Sequence, residues 1–324
     1  SLDEEPFAAA SIGQIHRGVL NDDTKVVVKI IKADFEASFK RDVRRMKRWI
    51  TIGLFFRRKL RKVGNPIGLL AHIEDYTLRE LDLTNEISGR NDLISKASEI
   101  EKNFSMPKLQ FPKMWDELSN RHVLVMEEII HPTLEQHLEE GTLSWPDMLA
   151  LFRIHGAFMF GIGTFHGDLH PGNAMMDDKG NFIFIDTGAI CNAPDHVRNA
   201  LFGFFYFLAK GELSHAYDAM LTMADVQPTG KTLQTYYDSM NELYDGFVGT
   251  SVSEVSLTEQ MMKTVKASVL AGCSFGEEAF PIIRSLMYMD GMVLKGHPEV
   301  DLISSMGPYL DEFSVLIDPH SIIK

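Results

Sequence analysis

Phe165–Gly188 reads FHGDLHPGNAMMDDKGNFIFIDTG. Ala174–Met176 and Phe182–Ile185 have the composition of short buried strands, and Asp177-Asp178-Lys179-Gly180-Asn181 between them is turn chemistry, so the stretch is read as a hairpin. Asp168 and Asn173 precede it at D-x-x-x-x-N spacing, and Asp186 stands at its end, ahead of Gly188. Transfer of a phosphoryl group needs a carboxylate near the accepting hydroxyl, oxygen ligands for magnesium, and rigid presentation of both. The spacing supplies these parts: Asp168 at the reacting oxygen, Asn173 and Asp186 as metal ligands, loop and strand end converging on one ion. Any one of these residues reads equally well as a turn or helix cap. The set, together with His166, Pro171 and Gly188, is what points to chemistry.

Working outward toward the N-terminus, Gln14–Leu20 and Lys25–Ile31 flank Asn21-Asp22-Asp23 as a second hairpin. Lys29 in VVVKI is a lone cation on an apolar strand: by itself it reads as a solvated edge lysine, and beside the neighbouring loop as a buried ammonium that must be paired with phosphate or carboxylate. Asp34 to about Leu60 and Ile67 to about Ser98 read as helices broken at Gly64-Asn65-Pro66, with Glu80, Asp82 and Glu86 on one helix. Phe111–Trp115 and His122–Glu128 read as strands. From His131-Pro132 the pattern is helical to Ile162, closed by Gly161 and Gly163, and beyond about Ala193 it is mostly amphipathic helix. The order predicts an α+β, two-lobed chain with an N-lobe over 1–130 and a helical C-lobe over 131–324.

The net charge of −13 argues against a general nucleic-acid binder, so no nucleic acid is expected as partner. The charge is uneven: Lys40–Lys62 carries eleven bases and one acid, against 21 bases and 44 acids in the remaining 301 residues. Phe39–Lys62 mixes those cations with Trp49, Ile52, Leu54, Phe55, Phe56 and Leu60. It reads equally as a helix lying on an anionic membrane and as a surface helix packing its apolar stripe on the lobe. No apolar run reaches the roughly 18 residues of a spanning helix. Cys191 and Cys273 form neither a disulfide framework nor a metal pattern, which fits a reducing compartment. The 17 methionines read as filler of an adaptable helical core, with a hydrophobic lipid groove in the C-terminal half as the alternative.

With PFAAASIGQIHRG (Pro6–Gly18), VVVKI, Glu80-Leu81-Asp82 followed by Glu86, RHVLVMEEI (Arg121–Ile129), HGDLHPGN and IDTG in place, the chain resembles the UbiB-type atypical kinases associated with coenzyme Q biosynthesis. The resemblance runs from residue 5 to roughly 220. It implies a protein-kinase-like fold with helical insertions in the N-lobe, binding ATP or ADP with Mg2+. By resemblance Ala8, Ala9, Ala10, Ser11 and Gly13 cover the phosphates, Lys29 pairs with Glu86, Glu127 and Ile129 join the nucleotide site, and Glu80 and Asp82 form the ExD motif. It also implies a lipid or quinone-precursor ligand and peripheral contact with a mitochondrial, plastid or bacterial inner membrane through residues 39–62.

The chain departs from the pattern in several places. The KxGQ motif upstream of the alanine-rich loop is not in it, Thr187 replaces the Phe of DFG, and Gly167 replaces the Arg of HRD. Only about seven residues separate Gly188 from the next helical pattern near His196, leaving little room to dock a peptide, so phosphorylation of proteins is not expected. A small-molecule phosphotransferase of the aminoglycoside or choline kinase sort shares HGDLHPGN and ID-x-G but would not carry AAASIGQIH or Glu80-x-Asp82. A pseudokinase scaffold without turnover is the alternative from another class.

Overall fold

At Asn21-Asp22-Asp23 the chain folds back on itself: Asp22 Oδ1 accepts the Thr24 N–H at 3.1 Å and Asp23 adopts φ 65°. The strands on either side, β2 (Gly13–Val19) and β3 (Lys25–Ile31), pair antiparallel with Ile15 opposite Lys29. The computed structural model describes residues 1–9, 13–32, 35–56, 66–106, 109–276 and 279–323. They form two units, one of Ser1–Asn91, Phe111–Ile130 and Asp186–Ala189, the other of Asp92–Gln110, His131–Ile185 and Ile190–Lys324.

In the first unit β1 (Ala8–Ala9) lies beside β2; after β4 (Leu109–Gln110), which belongs to the second unit, β5 (Val123–Glu127) joins β3, giving an antiparallel sheet ordered β1-β2-β3-β5. Val26, Trp115 and Val125 form its small core, with Val28 and Val123 packed against it. Gly13 has no room for a side chain, because a Cβ there would meet the Ile30 carbonyl oxygen at 2.4 Å.

The helices of this unit are α1 (Phe35–Phe56), α2 (Pro66–Glu80) and the first turns of α3 (Thr84–Ile100). Fully buried Val43 anchors α1, and Lys47 reaches Glu74 of α2 at 2.5 Å. The single helix expected over Ile67–Ser98 is two. Asp82 breaks it by accepting the Thr84 N–H at 3.2 Å and the Thr84 hydroxyl at 2.6 Å, which starts α3 afresh. Glu80 therefore ends α2, Asp82 lies in the link, and Glu86 lies in the first turn of α3. Phe111–Trp115 is not a continuous strand; Met114 makes an isolated bridge to Met126.

In the second unit β4 pairs parallel with β8 (Phe182–Phe184), and β8 pairs antiparallel with β7 (Ala174–Met176) across the expected turn; β6 (Thr164–His166) pairs with β9 (Ile190–Asn192). The helix expected from His131 to Ile162 is interrupted. After α4 (Leu134–Glu140), Gly141 turns left-handed at φ 67°, Ser144 caps α5 (Trp145–Gly156), and a π-helical turn over Ala157–Ile162 follows.

Beyond β9 come α6 (Asp195–Ala209), α7 (Leu213–Thr222), α8 (Lys231–Tyr244), α9 (Leu257–Leu270), α10 (Ala279–Gly296), α11 (Leu302–Phe313) and the short α12 (Pro319–Ile322). Phe202, Phe204, Phe205 and Phe207 make α6 the buried axis of this unit, and each such ring removed from water contributes about 1.5–3 kcal/mol. Met220, Met240, Met261, Met289, Met292 and Met306 fill the surrounding helical core. Both cysteines are free thiols.

Candidate active site

Pairing with β2 and β5 fixes Lys29 opposite Ile15 on one side and Leu124 on the other. Its ammonium donates to Glu86 Oε2 at 2.7 Å and lies 3.5 Å from Asp186 Oδ2, leaving the Lys29 side chain 15% exposed. Burial works against that positive charge, but the Glu86 and Asp186 carboxylates outweigh it and raise the Lys29 pKa. For Glu86, burial is the largest influence and pushes its carboxyl up to about 7; Lys29 pulls it down, and Asp186 and Glu80 push it further up. One ammonium thus serves two carboxylates, and the more buried of them, Glu86, is the one pushed toward its protonated, neutral form.

Thr187, with no exposed surface, donates its hydroxyl to the Glu86 carbonyl oxygen at 2.7 Å. Gly188 follows against Glu86, where a Cβ would stand 3.3 Å from Glu86 Cγ, and the Gly188 N–H reaches Asp186 Oδ1 at 3.3 Å. The sequence marks Thr187 only as a missing aromatic; its link to α3 joins residues 101 positions apart and leaves no local signal.

In the second unit Asp168 and Asn173 meet. Asn173 Nδ2 donates to the Asp168 carbonyl oxygen at 3.0 Å and to Asp168 Oδ2 at 3.2 Å, while the His170 N–H reaches the same carbonyl at 2.7 Å. The Asp168 N–H donates to Nδ1 of buried His166 at 3.1 Å, which makes Nδ1 an acceptor, and the ring stands edge-on to Phe184. Behind the loop His155 is buried, its Nε2 2.6 Å from Ser285 Oγ, and burial lowers its pKa to about 3. The loop is therefore backed by neutral imidazole. The Ile185 N–H bonds the Asn173 carbonyl at 3.0 Å, and the next residue in the chain is Asp186.

The donors available to a magnesium ion are hard oxygens: the Asp186 carboxylate, 39% exposed, and Asn173 Oδ1, left as acceptor while the amide nitrogen serves Asp168. Each is the kind of hard oxygen that magnesium takes from protein, one or two at a time, completing its shell with phosphate and water. Ala8 and Ala9 form β1 and Gly13 opens β2, whereas Ala10 and Ser11 lie outside the described residues. Glu127 accepts the Lys113 N–H on its carboxylate at 3.0 Å, and Ile129 follows the end of β5. Asp82, besides capping α3, lies 3.8 Å from Arg121, which also holds Glu36.

Residues 1–220 match the ABC1 atypical kinase-like domain. The chain belongs to this family. UbiB-named members are among its relatives: the probable protein kinase UbiB of Sodalis glossinidius is 23% identical over 96% of this chain and 57% of its own length. The chloroplastic protein ACTIVITY OF BC1 COMPLEX KINASE 7 of Arabidopsis thaliana is likewise 23% identical, over 96% of this chain and 44% of its own length. The chain spans between 44% and 61% of such curated relatives. Among solved structures, the Rv3197–erythromycin complex of Mycobacterium tuberculosis matches with TM-score 0.63 and 20% identity, over 96% of this chain and 77% of that one. That likeness shows the fold: this ABC1-family chain has the kinase-like α+β architecture.

Proposed function

We propose that the chain is an ATP- and magnesium-dependent atypical kinase or ATPase of the UbiB type that supports quinone or other isoprenoid-lipid metabolism at a membrane. The observation that carries this reading is the grip of Glu86 and Asp186 on Lys29, a buried cation kept charged for phosphate. In the proposal Lys29, held by Glu86, steadies the phosphates and residues 8–13 cover them. Asn173 and Asp186 hold the magnesium ion, which when bound would neutralise charge on the phosphates. Asp168 orients or deprotonates the attacking hydroxyl or water. Because the Glu127 carboxylate is engaged by Lys113, its part at the nucleotide falls to its main chain, beside Ile129.

The membrane part of the reading draws support from α1. Trp49 is 71% exposed and Met46 and Ile52 more than 40%, while Arg41, Arg44, Arg45 and Arg48 of the same helix are exposed. Residues 57–62 of the basic stretch lie outside the described residues. Among the described residues no helix is long and apolar enough to cross a membrane, so the contact proposed is peripheral.

Phosphate release from ATP, measured for the wild type and Asp168→Asn with and without magnesium, tests the proposal. Magnesium-dependent turnover that falls by about a hundredfold or more in the variant supports it. Nucleotide binding without turnover, with or without lipid vesicles, favours the scaffold alternative.

A further inference from the structure

Arg284, on α10, donates its Nε–H to the carbonyl oxygen of Gly167 at 2.9 Å, across 117 positions of sequence. The opposite end of the same peptide group, the Asp168 N–H, is held by His166 Nδ1 at 3.1 Å. The peptide plane ahead of Asp168 is thereby fixed at both ends. One bond comes from within the loop and the other from a distant helix. Gly167 makes the outside bond consequential, because backbone at glycine rotates with little steric resistance.

Neighbouring residues of α10 act on the same loop. Ser285 bonds His155 behind it, and the Tyr288 ring stands edge-on to His170, centroids 5.5 Å apart. Positions 284, 285 and 288 share one side of a helix, so a single surface of α10 meets the segment that carries Asp168. This helix lies beyond residues 1–220, the span matched by the family.

We infer that α10 is a brace for the catalytic loop and that Arg284 is its positioning residue, holding the Gly167–Asp168 peptide so that the Asp168 carboxylate is presented to the reacting oxygen. The inference rests on the phosphotransfer reading above. A planar guanidinium offers Nε–H in a fixed direction; lysine keeps the charge on a flexible stem and replaces it only in part.

The test uses the full chain and the variants Arg284→Gln and Arg284→Lys. Four quantities are measured: kcat and KM for ATP, MgATP affinity, melting temperature, and amide hydrogen exchange over residues 165–173 with residues 123–127 as control. Arg284→Gln is expected to lower kcat by about ten- to a hundredfold with KM, affinity and melting temperature unchanged. Exchange should quicken in 165–173 alone, and Arg284→Lys should recover part of the rate. Wild-type kcat in Arg284→Gln overturns the inference. So does a loss of rate accompanied by a lower melting temperature and faster exchange throughout, which marks a merely structural residue. A wild-type chain without ATP turnover overturns the phosphotransfer reading and this inference with it. It is told apart from failure of the brace itself, because loop exchange in Arg284→Gln would still quicken.

Discussion

The hydroxyl of Thr187 donates a 2.7 Å hydrogen bond to the carbonyl oxygen of Glu86, tying the residue after Asp186 to the helix that holds Lys29. Where the DFG motif of protein kinases places an aromatic ring, this chain places a buried polar tether. Thr187→Val keeps the shape and removes the donor. It is expected to cost about 0.5–1.5 kcal/mol in thermal unfolding, the net worth of one such bond, and to weaken MgATP binding because Asp186 loses its anchor. Unchanged stability and affinity would show that the tether does nothing.

Glu86 should titrate near neutrality. Its carboxyl is raised from 4.5 to about 7 by burial above all, with Asp186 adding to the shift. The folded chain keeps that proton at pH values where the unfolded chain has lost it. The contribution to stability is therefore full below pH 4.5 and disappears as pH rises toward 7. Carbon-13 NMR of the Glu86 carboxyl should show the elevated midpoint, and Asp186→Asn should lower it by removing the competing charge. A midpoint that stays put in the variant would contradict the shared-cation arrangement.

His155 works in the opposite sense. Burial depresses its pKa from 6.5 to about 3, so its contribution is present above pH 6.5 and is lost as pH falls toward 3. The two windows overlap with opposite slopes, so a bulk stability curve averages them and residue-resolved data are needed. The His155 ring carbons should report a neutral imidazole at pH 5 in the folded chain. A protonated ring at that pH would remove the account of its burial against Ser285.

Trp49 reports on the membrane proposal. Tryptophan fluorescence should shift to the blue with vesicles of anionic phospholipid and not with neutral ones, since each nearby Lys or Arg adds about 1 kcal/mol of attraction to an anionic surface. Trp49→Ala should lose most of the shift, because Trp115 is buried and Trp145, the third tryptophan, is partly buried and lies outside α1. Equal binding to neutral vesicles, or none to either, would leave α1 as an ordinary surface helix.

Much of this was legible in the chain itself. The two hairpins follow from turn residues between apolar runs, and D-x-x-x-x-N spacing brings Asp168 and Asn173 together as bonded neighbours. What sequence reasoning misread were helix ends. Asp82 looked like one more carboxylate on a long helix, and only its bonds to Thr84 reveal it as a cap. Gly141 and Ser144 likewise split a continuous helical pattern. The roles of Thr187 and Arg284 had no local signature, because each acts through a bond to a backbone carbonyl more than a hundred positions away.

In the proposed function Lys29, Glu86 and Asp186 form the phosphate and magnesium half of a nucleotide site. Thermal unfolding with ATP, with and without magnesium, tests it most directly in the wild type beside Asp186→Asn. At a hundred times its dissociation constant a ligand stabilises the fold by about 2.7 kcal/mol. A magnesium-dependent rise is expected in the wild type and is expected to disappear in Asp186→Asn. An equal rise in both proteins, or none in either, would contradict it.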